Sequence, residues 1–275
     1  MLCNVKKMVG FESIESSIIE YFQKQNINIF NECLVTLGKE KIEIKLKEIY
    51  ESGDKIQKII IFILDDHEFE LLSYSNQIIV RSSADKSLLK FNEVVLPFLW
   101  SPVFKPFEPL PKGEKPIVGF CGWRSKYRYE ILKAIRADTR IQENYLVRDK
   151  FMGGHRLSDN LVDDFDNNMK ESHFIICNRG TGNFSMRFFQ TLASGRIPIV
   201  VNTDMQLPLH GVVDYDNVII MENSVIKVIE RLLWVWNNRD IVEMQRDCSK
   251  FYDDYLHYEN YGSWLHKELS LKGLL

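Results

Sequence analysis

Segments with helical periodicity alternate along the chain with short apolar runs of strand length. Phe11, Ile14 and Ile18 recur at the spacing of one helix face and predict a helix over Phe11–Lys24. Further helices are predicted over 127–137, 159–171, 185–194 and 225–236, and from Asp240 onwards. Strands are predicted at 58–64, 77–81, 93–96, 116–120, 173–177, 197–201 and 218–221. This alternation in both halves of the chain predicts an α/β fold with parallel sheets.

Two segments do not fit this alternation simply. Residues 41–50 are ambiguous, because Ile42, Ile44 and Leu46 alternate as in a strand whereas Ile42, Leu46 and Ile49 share a helix face. Residues 101–116 hold five of the eight prolines. Since proline lacks an amide donor and restricts the residue before it, this segment predicts a semi-rigid linker between two domains.

Composition narrows the class of protein. Hydrophobic residues make up 45% of the 275 residues and charged residues 27%, as is usual for a globular protein. The net charge of −3 argues against a dedicated nucleic-acid-binding protein. The five scattered cysteines form no Cys-x-x-Cys pair, so neither a zinc site nor a disulfide framework is predicted. No secretory signal or membrane-spanning run is recognised, and the expectation is a cytoplasmic protein.

The segment 172–208 carries the clearest chemical pattern. A buried strand leads into a loop with Gly180 and Gly182, and a helix follows from Ser185. Glycines allow close approach of backbone amides to a ligand, and a helix N-terminus favours an anion. With Arg187 in the first turn, this arrangement predicts a seat for a diphosphate, although an ordinary strand–loop–helix turn would show the same glycines.

These residues resemble a known family. The run Gly180-x-Gly182-x-x-Ser185-x-Arg187, followed by Gly195-x-Ile197-Pro198-Ile199, is similar to the core motif of the exostosin-type glycosyltransferases. Three further elements match the family in the right order: Glu93-Val94-Val95-Leu96-Pro97, Phe120-Cys121-Gly122 with Arg128, and Asp204 with Leu207-Pro208. The resemblance covers about residues 90–240, and the first hundred residues match poorly.

The resemblance implies a GT-B-like fold, with two Rossmann-like domains facing each other across a cleft and a reduced N-terminal domain. Residues 1–105 would form the acceptor-side domain and 112–238 the nucleotide-sugar domain, with the helical segment 239–275 packing back on the N-terminal domain. The activity implied is inverting transfer of a sugar from a UDP- or GDP-linked donor to a glycan or lipid-linked glycan acceptor, in surface polysaccharide or glycoconjugate assembly. No metal or other cofactor is expected, and peripheral association with the inner face of a membrane is a further expectation.

The resemblance places the donor-binding residues in two loops and on the helix that follows. Arg128 and Arg187 would face the diphosphate, and the basic segment 112–150, with a net charge of +5, adds further cations. The donor-binding candidates are Gly122, Arg124, Arg128, Asn178, Gly180, Gly182, Asn183, Ser185, Arg187 and Gln190. Gln190 departs from the family pattern, which has Glu here, and this predicts altered nucleotide recognition or a non-catalytic subunit. His155 and Arg156, in a Gly-Gly loop, are weaker candidates.

An inverting transfer also needs a base for the acceptor hydroxyl. Asp65, Asp66, His67 and Glu68 follow the most apolar strand, and carboxyl ends of parallel strands face the ligand crevice. Asp66 is the preferred candidate base, with Asp65 and Glu68 as alternatives, while an ordinary polar strand-end turn would look the same. A GT-A metal site at Asp164-Phe165-Asp166 and a nicotinamide-dependent oxidoreductase fit less well, because the first lies in a helical stretch and the second lacks its third glycine.

Overall fold

Two parallel five-stranded sheets form the framework of the protein. The computed structural model describes residues 11–30, 33–35, 37–64, 66, 68–97, 105–150 and 159–275. The strands are β1 (Asn28–Ile29), β2 (Leu34–Val35), β3 (Ile59–Leu64), β4 (Gln77–Arg81), β5 (Glu93–Val95), β6 (Ile117–Trp123), β7 (Gln142–Arg148), β8 (Phe174–Ile176), β9 (Ile197–Val201) and β10 (Ile220–Glu222). The α-helices in the described part are α1 (Phe11–Lys24), α2 (Lys39–Ser52), α3 (Lys126–Ala137), α4 (Asp159–Lys170), α5 (Met186–Ala193), α6 (Val225–Asn238), α7 (Ile241–Phe251) and α8 (Tyr258–Leu271).

The N-terminal sheet consists of β1 to β5. Its order is β1-β3-β4-β5, with β2 pairing further along the same edge of β3, and all pairings are parallel. Both faces are covered. Ile61 and Ile63 of β3 pack with the buried residues of α2, whereas Ile60 belongs to the main core that includes α1 and α8. A near-continuous apolar strand is what two covered faces require.

The C-terminal sheet consists of β6 to β10 in the order β10-β9-β8-β6-β7, again all parallel. The predicted α/β fold with two Rossmann-like parallel sheets is therefore confirmed. The last strand lies slightly later than predicted, at Ile220–Glu222, and β7 was not predicted. β7 is an edge strand with a mixed polar sequence and little burial, so its pairing with β6 decides its conformation.

The ambiguous residues 41–50 belong to a helix, because α2 buries Ile42, Leu46 and Ile49 while Ile44 remains 52% exposed. The proline-rich stretch from residue 105 onwards has no helix or strand before β6, but it is not a free linker. Gln245 of α7 exchanges two hydrogen bonds with the backbone of Leu110, at 2.9 Å each. Residues 101–104 of the predicted linker lie outside the described residues.

The final helix packs against the first one. Gly262 of α8 lies against the ring of Tyr21, where a Cβ would be 3.2 Å from Cγ of that ring. Tyr261 donates a hydrogen bond of 3.3 Å to the carbonyl oxygen of Val95, and Lys272 donates one of 2.8 Å to that of Glu93. The C-terminal end of the chain is thus fixed to the edge strand of the N-terminal sheet.

Arg196 joins several parts of the C-terminal half. It is 1% exposed, and all five of its N–H groups donate to oxygens, on Met169, Lys170, Gly195, Glu108 and Gln245. Burial lowers the pKa of Arg196 to about 10, so the side chain stays charged at neutral pH. The guanidinium therefore holds the proline-rich stretch, the end of α4 and α7 together.

We expect Arg196→Met to lower the free energy of unfolding by about 2–4 kcal/mol, because it leaves buried carbonyl oxygens without donors. Urea denaturation followed by circular dichroism measures this loss. Arg246→Met is the matched control, since Arg246 is an exposed arginine of α7. An equal, small effect of both substitutions would contradict the role assigned to Arg196.

The burial of Glu268 on α8 predicts that the free energy of unfolding depends on pH. It is 7% exposed, its Oε2 has no hydrogen-bond partner, and burial raises the pKa of its carboxyl to about 7. The folded protein therefore holds this proton more tightly than the unfolded chain does. The resulting stabilisation is complete below the unfolded pKa near 4.5 and is lost as the pH rises through about 7.

The variant Glu268→Gln should remove this dependence and be more stable than the wild type at pH 8, by about 1–3 kcal/mol. Urea denaturation between pH 5 and 8 measures the difference. Glu20→Gln on the exposed face of α1 serves as the control and should leave the pH profile unchanged. A Glu268→Gln profile parallel to that of the wild type would contradict the assignment.

Candidate functional site: an arginine-lined crevice

The strand order of the C-terminal sheet locates the crevice. The chain enters the sheet at β6, passes to β7 on one side and then to β8 on the other, so the direction of winding reverses between β6 and β8. In open parallel sheets, ligands bind outside the carboxyl ends of the strands at this switch point. The segments that leave those two ends here are 124–125 and 177–185, and they contain most of the predicted donor-binding residues.

Arg187 on α5 reaches across this switch point. Its Nη2 donates to the carbonyl oxygen of Cys121 at 2.6 Å, and its guanidinium lies 4.6 Å from the centre of the Phe120 ring. Gly122 makes room for it, because a Cβ at that position would be 2.7 Å from Nη2 of Arg187 and φ is +147°. The glycine of the Phe-Cys-Gly element is thus required for placing this arginine.

Arg128 on α3 approaches the same place from the other loop. Its Nη1 donates to the carbonyl oxygen of Trp123 at 3.0 Å, and its Nε donates to that of Asn178 at 3.3 Å. Its guanidinium lies 5.7 Å from the same Phe120 ring. The structure therefore brings together Arg128 and Arg187, the two residues expected to face a diphosphate.

The two arginines carry unbalanced positive charge. Burial, together with the neighbouring charge of Arg187, lowers the pKa of Arg128 to about 9, and burial also lowers the pKa of Arg187. Among the described residues no carboxylate forms an ion pair with either guanidinium. Burial raises the pKa of the nearby Cys177 thiol to about 12, so it supplies no negative charge at neutral pH. An anionic ligand would relieve this repulsion.

Three buried polar atoms without a hydrogen-bond partner lie in the two segments at the switch point and at the start of α5. They are Oγ of Ser125, Nε of Arg179 and Nε of Arg187. Ser125 occupies the N-cap position of α3, yet its hydroxyl makes no capping bond. Buried polar groups are normally paired, so an unpaired group calls for an explanation, and a ligand is one.

The loop of residues 178–185 differs in part from the predicted amide cradle. The amide of Gly180 donates to the carbonyl oxygen of Phe184 at 3.2 Å, and the amide of Asn183 donates to Oγ of Ser83 at 2.9 Å. These two amides are therefore occupied by the protein itself. Ser185 is at the N-cap position of α5 as predicted, but its side chain makes no capping hydrogen bond.

The two glycines of this loop allow close contacts with different parts of the protein. Gly180 lies beside Arg128, since a Cβ there would be 3.4 Å from Nη2 of that arginine. Gly182 instead allows contact with the N-terminal half, because a Cβ there would be 2.9 Å from the carbonyl oxygen of Asp66. The close approach that was predicted for a ligand at Gly182 is made by the protein backbone.

The two asparagine side chains of the loop form hydrogen bonds with the backbone of other segments. Asn183 donates to the carbonyl oxygens of Ala84 and Thr203, and Asn178 links Tyr127 to Val201 through its side chain. Any role of these two asparagines in donor binding stays a prediction.

Arg124 and Gln190 are the remaining donor-binding candidates among the described residues. Arg124 is exposed, and its Nη2 lies 4.0 Å from a carboxylate oxygen of Asp149. Gln190 is half-buried on α5, one turn after Arg187. His155 and Arg156 lie outside the described residues. Their predicted contacts with a nucleotide stay predictions.

The acidic end of β3 meets this loop. Asp66 is exposed, and its carbonyl oxygen lies against Gly182. The carboxylate of Glu68 accepts hydrogen bonds from both terminal nitrogens of Arg179, so Glu68 links the N-terminal half to the C-terminal half. Asp65 and His67 lie outside the described residues. Asp66 stays the preferred candidate base, and it lies beside the loop.

Two residues of the site were missed by the sequence analysis. Arg179 follows Asn178 directly and could have been noticed as a further cation next to the glycines. Ser125 precedes α3 and shows only the ordinary pattern of an N-cap residue. Across the described part of the chain, no group of three or more His, Cys, Asp or Glu side chains is placed to hold a metal ion. No helix there has the length and apolar character needed to cross a membrane.

Fold and site together define an α/β protein with an arginine-lined crevice at the switch point of a parallel sheet. Residues 121–233 match the Exostosin GT47 domain. The chain is also 28% identical, over 95 residues, to the Exostosin-1 homolog of Caenorhabditis elegans. This alignment covers 34% of the chain and 25% of the length of that relative. The predicted resemblance to the exostosin-like glycosyltransferase family is confirmed by these two matches.

Solved structures with a similar arrangement are more distant. The crystal structure of TarM has 10% identity and a TM-score of 0.47, over 93% of this chain and 57% of that one. A putative UDP-N-acetylglucosamine 2-epimerase from Listeria monocytogenes has 10% identity and a TM-score of 0.40, over 95% and 78% of the two chains. Similarity at this level carries no inference about the function of this chain.

Proposed function

We propose that this protein is an inverting glycosyltransferase that moves a sugar from a nucleotide diphosphate donor to a glycan acceptor. The observation that carries the proposal is the pair of Arg128 and Arg187, which lie at the switch point without a carboxylate partner among the described residues. Buried arginines suit a diphosphate, because a guanidinium presents several donors to phosphate oxygens and keeps its charge. The match of residues 121–233 to the Exostosin GT47 domain supports the same class of reaction.

In this proposal the diphosphate of the donor lies between the two guanidiniums. The hydroxyl of the acceptor loses its proton to the carboxylate of Asp66, and its oxygen attacks the anomeric carbon from the side opposite the diphosphate. The bond between the anomeric carbon and the phosphate oxygen breaks, and its electron pair leaves with the diphosphate. Arg128 and Arg187 would stabilise the negative charge that develops there, without a metal ion.

The finer features of the proposal concern donor, acceptor and location. The proposal includes a UDP- or GDP-linked sugar as donor and a glycan or lipid-linked glycan as acceptor. It assigns the protein to surface polysaccharide or glycoconjugate assembly at the inner face of a membrane. It also divides the chain into an acceptor-side domain (1–105), a donor domain (112–238) and a C-terminal helical segment (239–275).

Isothermal titration calorimetry with a panel of nucleoside diphosphates tests the proposal. At least one of UDP, GDP and TDP should bind saturably with one site per chain, and adenosine without phosphates should not bind. Absence of binding by every nucleoside diphosphate would overturn the proposal.

A second candidate is a non-catalytic subunit that keeps nucleotide binding and supports a partner enzyme. Gln190 favours it, because an amide accepts fewer hydrogen bonds from a ribose than the family carboxylate does. Release of nucleoside diphosphate by the purified chain, with a nucleotide sugar and a glycan acceptor, would exclude this candidate.

A further inference from the structure

Arg179 connects the two halves of the protein at the crevice. Its two terminal nitrogens donate to the two carboxylate oxygens of Glu68, and its guanidinium lies 4.4 Å from the centre of the Tyr127 ring. The side chains of Arg179 and Glu68 are only 10% and 20% exposed. Partial removal of both charges from water makes their mutual attraction stronger than that of a surface pair.

The residues on either side of Arg179 lie against Arg128. The carbonyl oxygen of Asn178 accepts a hydrogen bond from Nε of Arg128, and Gly180 lies beside Nη2 of the same arginine. A displacement of Arg179 would therefore move two backbone contacts of Arg128. The ion pair of Arg179 and two contacts of Arg128 therefore lie in one loop.

The same loop makes a second set of contacts with the N-terminal half. Gly182 lies against the carbonyl oxygen of Asp66, and the amide of Asn183 donates to Oγ of Ser83. These contacts and the Glu68–Arg179 pair place the acidic end of β3 directly against the loop. Asp66 thus lies beside the loop that also contacts Arg128.

We propose that Arg179 is a positioning residue: by holding Glu68 it orders the loop 178–185 for a nucleoside diphosphate and keeps Asp66 beside it. This inference rests on the proposed function of the same crevice. In this role Arg179 acts through Glu68 and the loop. Charge complementarity across the two halves, rather than the identity of either residue, is then what nucleotide binding requires.

A charge exchange tests this requirement. UDP and GDP serve as probes, and their dissociation constants are measured by calorimetry for the wild type, Glu68→Arg, Arg179→Glu and the double variant. Each single reversal places like charges together and should weaken binding about tenfold, as coupling between sites of this kind does. The double variant restores opposite charges and should bind within about threefold of the wild type.

The matched control is the exposed pair of Arg136 and Glu143, in which Arg136→Glu should leave nucleotide affinity unchanged. Thermal unfolding is also measured for every variant. If the ion pair had a merely structural role, the single variants would change in stability and nucleotide binding would not be rescued in the double variant.

The outcomes separate the two proposals. Binding of neither probe by the wild type would overturn the proposed function and this inference with it. Binding by the wild type with no loss in either single variant, or with no rescue in a folded double variant, would overturn the inference alone.

Discussion

Replacing Arg187 with methionine is expected to weaken the binding of UDP or GDP about 30- to 1000-fold, a loss of about 2–4 kcal/mol for a charge-assisted contact in a desolvated place. Methionine is unbranched, apolar and shorter than arginine, so it fits the same apolar surroundings, which include the Phe120 ring. The substitution also removes one of two neighbouring positive charges, so the unliganded fold should not suffer from charge imbalance. Calorimetric titration measures the affinity, and thermal unfolding measures the stability.

Arg136→Met is the matched control, because Arg136 is an exposed arginine of α3 whose partner Glu143 lies on the surface. It should bind the nucleotide like the wild type. Arg187→Lys should bind with intermediate affinity, since it keeps the charge and loses the planar geometry. An Arg187→Met variant that is folded and binds with unchanged affinity would contradict the placement of the diphosphate at this crevice.

The variant Asp66→Asn is expected to lower turnover about 100- to 10,000-fold, the range that general-base catalysis contributes. The amide cannot accept the proton of the acceptor hydroxyl. Nucleotide affinity should change little, because Asp66 contacts the loop through its backbone carbonyl oxygen, which the substitution retains. Release of nucleoside diphosphate from a nucleotide sugar, with a panel of glycan acceptors, measures turnover, and calorimetry measures affinity.

Glu70→Gln controls for this substitution, since Glu70 is an exposed carboxylate of the same segment that pairs with Lys90. It should turn over like the wild type. Full activity of Asp66→Asn would show that Asp66 is not the base, and would direct attention to Asp65, the neighbouring candidate.

Secondary structure could be predicted wherever one face of an element is buried. In α1, β3 and β9 the apolar residues are spaced so that they lie on the faces that contact the core. Local pattern was insufficient for residues 41–50, where the packing of Ile42, Leu46 and Ile49 against the N-terminal sheet selects the helix α2. It also failed for β7, whose sequence is mixed because an edge strand buries little of its surface.

The site shows the same division between local pattern and long-range contact. The glycines, Arg128 and Arg187 could be singled out, because their residue types and spacing serve the chemistry of an anion seat. The contacts of Gly182 with Asp66 and of Arg179 with Glu68 join residues more than one hundred positions apart. No local rule encodes such pairs.

The sequence by itself therefore determined the α/β class, the order of most elements and the basic loop-and-helix segment that resembles exostosin-type glycosyltransferases. Only the tertiary structure decided that Gly122 makes room for Arg187, that Arg128 shares the crevice with it, and that part of the glycine loop contacts the N-terminal half. The physical reason is that residue type and periodicity report on short-range backbone geometry and burial. Partners in hydrogen bonds and ion pairs depend on how distant segments meet.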